Sequence, residues 1–274
     1  MRWISKKIEL IFLGVFVAIN IFLFYTIWQI PYLSQNKATN TESSIRTEMA
    51  ADNITTISLE DDGEEGYYLA GKVDNDFADG IGKLQDQRIS YDQTTRVLSS
   101  RLNMVIKGAT RSKLISALTK YKDSDNHILF GDEYAYSKQL SSDHDIVFVQ
   151  LTDYGKIIDP VGQLHFPVKD GEINSYTQSY QEEITIVREK QETISQEQAV
   201  TNLYTYSELP NDSKVLAVEL GYTKLTQVKG SVILFPSWVI TIENKNTKNI
   251  QIKKVNAFNG TVINDSLADP TETK

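Results

Sequence analysis

A continuous apolar run near the start of the chain places the strongest constraint on its fold. From Leu10 to Ile30 the sequence has 21 residues and no charged side chain. An α-helix rises about 1.5 Å per residue, so this run is long enough to cross the roughly 30 Å hydrocarbon layer of a bilayer. Helices of soluble proteins keep a polar face instead. The run therefore predicts a transmembrane helix, which we bound at residues 8–30.

The flanks of this run favour an uncleaved anchor with a cytoplasmic N-terminus. A signal peptide has a shorter apolar core of about 7–15 residues that ends in small residues, whereas this run ends in bulky ones. Cleavage near Ala38 is the competing prediction. Arg2, Lys6 and Lys7 precede the run, and positive flanks stay in the cytoplasm. We therefore expect a single-pass cell-membrane protein, with residues 1–7 cytoplasmic and the chain after Pro31 extracellular.

Asn20 is a polar residue near the middle of the predicted span. Its amide can bond across to another helix, an interaction worth about 0.6–2 kcal/mol in measured cases. It can equally bond to the backbone of its own helix, and the sequence leaves the two alternatives open. As a hypothesis, Asn20 and the neighbouring Phe16 and Phe24 form the partner-binding side of the membrane helix.

The composition argues against nucleic acid as a partner and indicates a bacterial origin. The net charge is −8, whereas nucleic-acid-binding domains carry basic patches. The chain has no cysteine, although an extracellular eukaryotic domain would usually contain disulfides. An exported domain without cysteine is therefore more typical of bacteria.

Helix and strand signals after residue 54 predict an α+β fold. Leu114, Leu118 and Tyr121 share one helical face between Arg111 and Lys122, with Thr110 as a suitable N-cap. Ser195 and Gln198 have the spacing of a capping box, which predicts a second helix. Short β-like runs between turns, such as those at 146–150 and 173–180, are typical of antiparallel sheets. Residues 54–57 predict a first strand, and residues 89–106 stay open between helix and strand.

A coarse repeat, in which a helix precedes several strands, indicates two similar subdomains. We predict a juxtamembrane spacer at 31–53, a first α+β subdomain at 54–180, a second at 181–264 and a flexible tail at 265–274. The spacer is open between a loose linker and a helix around residues 42–51. Both subdomains are expected to contain mainly antiparallel sheet with packed helices.

The motifs that carry known enzyme chemistry are absent from the sequence. It contains no G-x-S-x-G, no H-E-x-x-H and no phosphate-binding loop. Asp143-His144-Asp145 has no second histidine at ligand spacing, and zinc sites need three or four convergent ligands. The segment from Asp74 to Gly80 departs from the spacing of a calcium loop, so we predict a solvated turn there. We therefore predict a non-enzymatic protein without a metal or cofactor, which acts in interaction, sensing or scaffolding.

Several ordered sequence signatures resemble the YycI (WalI) family of Gram-positive bacteria. They begin with Arg2-Trp3 and Lys6-Lys7-Ile-Glu-Leu before the span and Asn20-Ile-Phe-Leu within it. The most telling segment is Glu172-Ile-Asn-Ser-Tyr-Thr-Gln-Ser-Tyr180. Further signatures are Ile146-Val-Phe-Val-Gln150, Asp159-Pro160, Gly162-Gln-Leu-His-Phe166, Ile194-Ser195 to Tyr204, Leu220-Gly-Tyr222, Pro236-Ser-Trp238 and Val255-Asn-Ala-Phe-Asn-Gly260. The last three are also similar to the small α+β unit of PepSY type, so the second subdomain is expected to be PepSY-like.

This resemblance implies a regulatory function that the residues alone do not supply. Members of the family are membrane-anchored regulators of the WalK/WalR two-component system. They act with a YycH partner, contact the sensor kinase WalK and tune cell-wall metabolism. The resemblance therefore implies a WalK-like histidine kinase and a YycH-like protein as partners, and it leaves a homo-oligomer open. No catalytic residue is carried over, because these signatures are structural.

Two alternatives of other classes remain open at the level of the sequence. The first is an extracytoplasmic binding module for a cell-wall fragment or peptide, which predicts a concave pocket with convergent polar groups. The second is an envelope enzyme or a protease inhibitor. An enzyme would show clustered carboxylates in a cleft, and an inhibitor would offer an exposed surface or edge strand.

Overall fold

The computed structural model describes residues 12–25, 44–72, 76–124, 126–228 and 230–263. Two compact units divide the chain, residues 1–52 and residues 53–274. In the first unit, α1 covers residues 12–25 and α2 covers residues 44–51. Over the described parts of the chain, no helix combines the length and the apolar character needed to cross a membrane. Residues 8–11 and 26–30 of the predicted span lie outside the described residues.

The second unit, which we call the β-rich domain, is an α+β structure with mostly antiparallel strands. Its helices are α3 (Asp76–Gly80), α4 (Arg111–Lys122) and α5 (Gln196–Thr205). The strands are β1 (Gly63–Gly66), β2 (Leu69–Lys72), β3 (Gln87–Asp92), β4 (Val97–Lys107), β5 (Tyr134–Tyr136), β6 (Asp145–Thr152), β7 (Gly155–Ile157), β8 (Gln163–Pro167), β9 (Glu172–Gln178), β10 (Glu182–Ile186), β11 (Gln191–Ser195), β12 (Ser213–Val228), β13 (Ser231–Asn244), β14 (Ile250–Asn256) and β15 (Val262–Ile263).

One 13-stranded sheet organises this domain. Its main path runs β10-β2-β13-β12-β7-β6-β8-β9-β4-β3, while β14 and β5 pair beside it with β13 and β6, and β15 pairs with β14. β1 and β11 form a separate two-stranded sheet. Among the described strand pairs, only β7 and β12 run parallel, with Ile157 opposite Tyr222. Ile158 extends this contact, since its N–H donates to Tyr222 O at 2.9 Å.

The hydrophobic core of the first half lies between α4 and one face of the sheet. Leu114 and Leu118 of α4 are buried in the same cluster as Phe148, Phe166 and Tyr176. Because side chains alternate along a strand, Ile146 and Phe148 of β6 share this face. A second cluster surrounds the β7–β12 contact and contains Leu69, Ile157, Tyr222, Val232 and Leu234.

The two outer strands of the main path approach each other around α3. The N–H of Phe77 donates to Glu182 Oε1 of β10 at 2.8 Å. The Phe77 ring lies 6.0 Å from the Tyr91 ring of β3 and stacks at 6.0 Å on Tyr180. The sequence predicted a solvated turn at residues 76–80, whereas the structure has a short helix there. Phe77 of this helix is buried between the two edge strands.

Several predicted elements are found in the structure. Helix α4 has the predicted bounds, and the Thr110 side chain accepts from Lys113 N. Helix α5 begins at the predicted capping box of Ser195 and Gln198. The ambiguous stretch at 89–106 lies in the β3–β4 hairpin. In the predicted first strand, Thr55 forms only an isolated bridge to Lys214.

The predicted subdomains at 54–180 and 181–264 contribute to the same sheet. α4 precedes β6, β8 and β9, and α5 precedes β12, β13 and β14, so each helix is followed by antiparallel neighbours. The division into two subdomains and the PepSY-like character of the second stay predictions. The predicted tail at 265–274 lies outside the described residues.

Candidate partner-binding surfaces

The three residues predicted to bind a partner all lie on α1. Phe16, Asn20 and Phe24 are spaced by four residues, and side chains at this spacing are neighbours on one side of a helix. Phe16 is 64% exposed and Phe24 is 71% exposed. The Asn20 side-chain N–H donates to Phe16 O at 2.8 Å. Of the two alternatives for Asn20, the structure contains the bond to its own backbone. The carbonyl and the second N–H of the Asn20 amide can still form hydrogen bonds to a second helix.

Asp145 and His165 form an ion-pair geometry on the sheet. His165 Nδ1 lies 2.7 Å from Asp145 Oδ2, and its Nε2 lies 2.6 Å from Gln163 Oε1. The Gln163 amide N–H donates to Ile158 O at 2.7 Å, which fixes its oxygen towards the imidazole. Asp145 Oδ2 and Gln163 Oε1 are both hydrogen-bond acceptors, and together they fix the orientation of the ring.

Within the described residues, the histidines and carboxylates form separate contacts. Asp145 of the Asp143-His144-Asp145 sequence faces His165, and His127 stacks on Tyr121 at 4.5 Å. His127 Nδ1 is also 2.6 Å from Ser124 Oγ. Among the residues that the structure describes, no three His, Asp or Glu side chains lie together in a metal-binding arrangement.

An open cavity of about 570 Å³ lies beside the start of α4. Its lining includes the cations Arg111 and Lys138, the hydroxyls of Ser112 and Ser141, and Tyr136. Asp143 lies at the same cavity and opposes the positive charges. Its volume falls within the range of small-ligand pockets, about 300–1,000 Å³.

A polar face of the sheet carries two arginines in direct cross-strand register. Arg88 of β3 is opposite Arg101 of β4, and Arg101 is opposite Ser175 of β9. The next row on this face consists of Ser90, Ser99 and Thr177. We call these six residues the arginine face. Its reverse side is buried and includes Leu98 and Tyr176.

The arginine face is open and short of local carboxylate partners. Arg88 and Arg101 are exposed, and within the described chain neither guanidinium has a carboxylate at ion-pair distance. Asp92 lies at the end of β3, where it accepts from Thr94 N at 2.8 Å and Thr95 N at 3.3 Å. These backbone N–H groups hold the pKa of the Asp92 carboxyl below its usual value. The carboxylate of Asp92 is thus engaged by its own turn.

Comparison with known proteins identifies the family of the chain. The profile described as "YycI protein" matches residues 33–258, which is most of the sequence. The chain belongs to the YycI family. A search of curated proteins gave no match. The match lies in the region after the predicted span and includes the whole arginine face.

Solved structures similar to this YycI family member share little sequence with it. An uncharacterized protein from Eubacterium rectale ATCC 33656 matches with 11% identity and a TM-score of 0.38, over 74% of this chain and 86% of that chain. The C-terminal domain of YpeB from Bacillus megaterium matches with 15% identity and a TM-score of 0.37, over 70% of this chain and 96% of that domain.

The sequence did not reveal the arginine face before the structure placed its strands. Arg88 and Arg101 fall in or beside the stretch that was open between helix and strand, so their register could not be assigned. The available signal was the alternation Arg88-x-Ser90 and Ser99-x-Arg101, which places the polar residues of each segment on one side of a strand.

Proposed function

We propose that this YycI family member is a non-enzymatic, membrane-anchored regulator that binds a WalK-like sensor histidine kinase together with a YycH-like partner. The family match over residues 33–258 is the observation that carries this proposal. The protein modulates the activity of the kinase in cell-wall homeostasis. It crosses the cell membrane once through residues 8–30, with a cytoplasmic N-terminus and an extracellular β-rich domain.

The proposed control requires different affinities for two states of the kinase. A ligand shifts a two-state equilibrium only by the difference in its affinities for the two states. A coupling free energy of about 1–3 kcal/mol is typical of allosteric control and suffices here. Anchoring in one membrane raises the effective concentration of the partners, so contacts of the helix and of the outer domain reinforce each other.

Co-purification in detergent tests this proposal. The full-length protein is compared with a version that lacks residues 1–32, and the recovered membrane proteins are identified by mass spectrometry. We expect the full-length chain to recover a sensor kinase and a second single-pass protein, because both contact regions are present. Failure to recover either protein with the full-length chain would contradict the proposal.

Variants of α1 test the hypothesis that Phe16, Asn20 and Phe24 bind a partner helix. The double variant F16A/F24A removes two exposed rings, and Asn20→Leu removes the amide. We expect both to reduce recovery of the kinase severalfold. The variant Phe22→Ala serves as the matched control, because Phe22 is similarly exposed, at 66%, but lies outside the four-residue spacing. Equal losses in all variants would show a general effect of ring removal.

The second candidate function is an extracytoplasmic binding module for a cell-wall fragment or peptide. The cavity beside α4 favours it, because Arg111, Lys138 and the serine hydroxyls supply convergent polar groups for an anionic ligand. Peptidoglycan fragments of defined composition are titrated against the full-length protein and against R111A/K138A. Saturable binding that the double variant loses would support this candidate, and identical behaviour of both proteins would contradict it.

A further inference from the structure

The arginine face places two positive charges directly opposite each other. Among the described residues, no carboxylate lies at ion-pair distance from either arginine. Like charges directly opposite each other on antiparallel strands destabilise the pair. Arg88 and Arg101 occupy such opposite positions. Their remaining neighbour in the row is Ser175, which carries no charge. The fold therefore retains two uncovered guanidinium groups at a cost to its own stability.

In the adjacent part of the same strands, a positive side chain is paired with a negative one. Lys107 of β4 is opposite Glu172 of β9, and the two side chains form an ion pair. Other lysines of the domain are also paired with glutamate, as in Lys72–Glu183 and Lys253–Glu208. In a chain with a net charge of −8, carboxylates are abundant. Arg88 and Arg101, by contrast, have no such carboxylate partner among the described residues.

The shape and surroundings of this surface fit a protein partner. Small-molecule sites are concave, whereas this face is the open side of three adjacent strands with hydroxyl side chains beside the arginines. Met104 and Val105 of β4 lie beside it and are 52% and 43% exposed, at the point where the β4–β9 register breaks. Arginine and methionine are enriched in protein interfaces, and arginine is prominent among the residues that dominate binding.

We propose that the arginine face binds an acidic segment in the outer part of a membrane partner protein. This inference rests on the proposed function and assigns it a contact surface. The carboxylates of the partner lie between the guanidinium groups of Arg88 and Arg101, which suit bidentate pairing with carboxylate. Met104 and Val105 supply apolar contact at the margin. Binding of the acidic segment relieves the repulsion between the two arginines.

The single variant Arg101→Glu separates binding from folding. It places a carboxylate opposite Arg88, so the two residues form a cross-strand ion pair and the domain should unfold at the same temperature or higher. Recovery of the partner by the full-length protein in detergent should fall at least tenfold, because the face loses its net positive charge. The opposite directions of the two effects distinguish a binding role from a structural one.

Matched variants and salt complete the experiment. The variant Lys113→Glu makes the same change of charge on an exposed α4 residue and should retain wild-type recovery within twofold. R88K/R101K keeps the charge but loses the planar fork, so it should give an intermediate recovery. Raising NaCl from 50 to 300 mM should lower the wild-type recovery more than that of Arg101→Glu, because salt screens surface charges.

Site-specific photocrosslinking identifies what the face contacts. A benzophenone amino acid replaces Ser99, which lies in the row next to the arginines on the exposed side, and the crosslinked peptide is sequenced. We expect a segment of the kinase-like or YycH-like partner that is rich in Asp and Glu. A crosslinked segment without acidic residues would overturn the inference, and so would wild-type recovery by Arg101→Glu.

An anionic polymer is the other occupant that this surface could attract. The wild-type protein and Arg101→Glu are compared for retention on immobilised inorganic polyphosphate and for recovery of the partner. If only the wild type is retained on polyphosphate and both proteins recover the partner equally, the face binds a polymer. That result would overturn the inference and leave the proposed function standing. Failure of the wild-type protein to recover any kinase-like or YycH-like partner would instead contradict the proposed function itself.

Discussion

The side chain of Gln150 serves as the hydrogen-bonding partner for both backbone groups of Gln181. Its amide N–H donates to Gln181 O at 2.8 Å, and its carbonyl accepts from Gln181 N at 2.9 Å. Gln181 in turn donates from its side chain to Val161 O at 2.9 Å. These buried bonds fix the segment that leads from β9 to β10. The arrangement matters for stability, because a buried backbone group without a partner costs about 1–3 kcal/mol.

Gln150→Leu is expected to lower the free energy of unfolding by about 2–4 kcal/mol. The substitution keeps much of the volume of the side chain but leaves the N–H and C=O of Gln181 without their partner. The midpoint of urea denaturation, followed by circular dichroism, measures the change. Gln227→Leu on the exposed end of β12 is the matched control and should change stability by less than about 0.5 kcal/mol. Equal midpoints for Gln150→Leu and the wild type would contradict the assigned role.

Gly131 lies where the neighbouring backbone leaves no room for a larger residue. A Cβ atom there would lie 1.7 Å from Lys122 O. Lys122 is itself buried, and its ammonium group donates to Gly131 O at 2.8 Å. We expect Gly131→Ala to destabilise the domain by at least about 1–3 kcal/mol, the usual range for overpacking. Gly171→Ala is unsuitable as a control because of its positive φ, whereas Gly82→Ala meets open space and should be nearly neutral. Thermal unfolding of the two variants measures the difference.

Helix α5 depends on a local interaction that its sequence specifies. Gln198 N donates to Ser195 Oγ at 3.1 Å, and Ser195 N donates to Gln198 Oε1 at 3.2 Å. Ser195→Ala should cost about 1 kcal/mol of stability, the typical value of an N-cap. Gln198→Glu should cost much less, because a glutamate at this position can accept the same bond. Urea denaturation compares the two variants, and an equal loss for both would contradict this account of the cap.

The elements that could be predicted from the sequence are those determined by nearby residues. The N-cap of α4 and the capping box of α5 involve residues three positions apart, so the sequence contained the whole interaction. The β3–β4 hairpin was ambiguous because its strands are stabilised by pairing with each other and with β9. The helix at α3 was missed for a similar reason, since Phe77 is held by Tyr91 and Tyr180 from other segments.

The candidate surfaces also differ in whether nearby or distant residues determine them. The sequence placed Phe16, Asn20 and Phe24 on one helical side, because helical spacing is local. It could not show that Asn20 bonds to Phe16 O or that Arg88 lies opposite Arg101. The second of these facts depends on strand register, which the pairing of separate segments determines.

Buried tyrosines make the stability of the β-rich domain sensitive to high pH. Burial, with a smaller effect of Asp86, raises the pKa of the Tyr121 phenol to about 12. Burial also raises the pKa of the Tyr134, Tyr176 and Tyr180 phenols. Each phenol binds its proton more tightly in the folded state than in the unfolded state, where the pKa is about 10. Their contribution to stability is therefore complete below pH 10 and decreases as the pH rises above 10.

A series of urea midpoints between pH 8 and pH 12 checks this expectation. The midpoint should be level up to about pH 9 and then fall steadily above pH 10. Absorbance at 295 nm should show phenolate appearing together with unfolding. Tyr121→Phe should make the decline shallower, whereas Tyr206→Phe, at a largely exposed position, should leave it unchanged. A midpoint that stays level to pH 12 would contradict the buried, protonated state of these side chains.

The pairing of β2 with β13 sets an order for the maturation of this protein. Leu69 is opposite Leu234, and β1 is held by β11. A ribosome delivers the chain from its N-terminus, so the first two strands of the domain emerge long before the strands that complete them. Until those later strands are synthesised, β1 and β2 lack the strands that they pair with in the folded domain. Native assembly of the sheet must therefore wait for the synthesis of β13, and a chain terminated before Ser231 would leave β2 without its β13 neighbour.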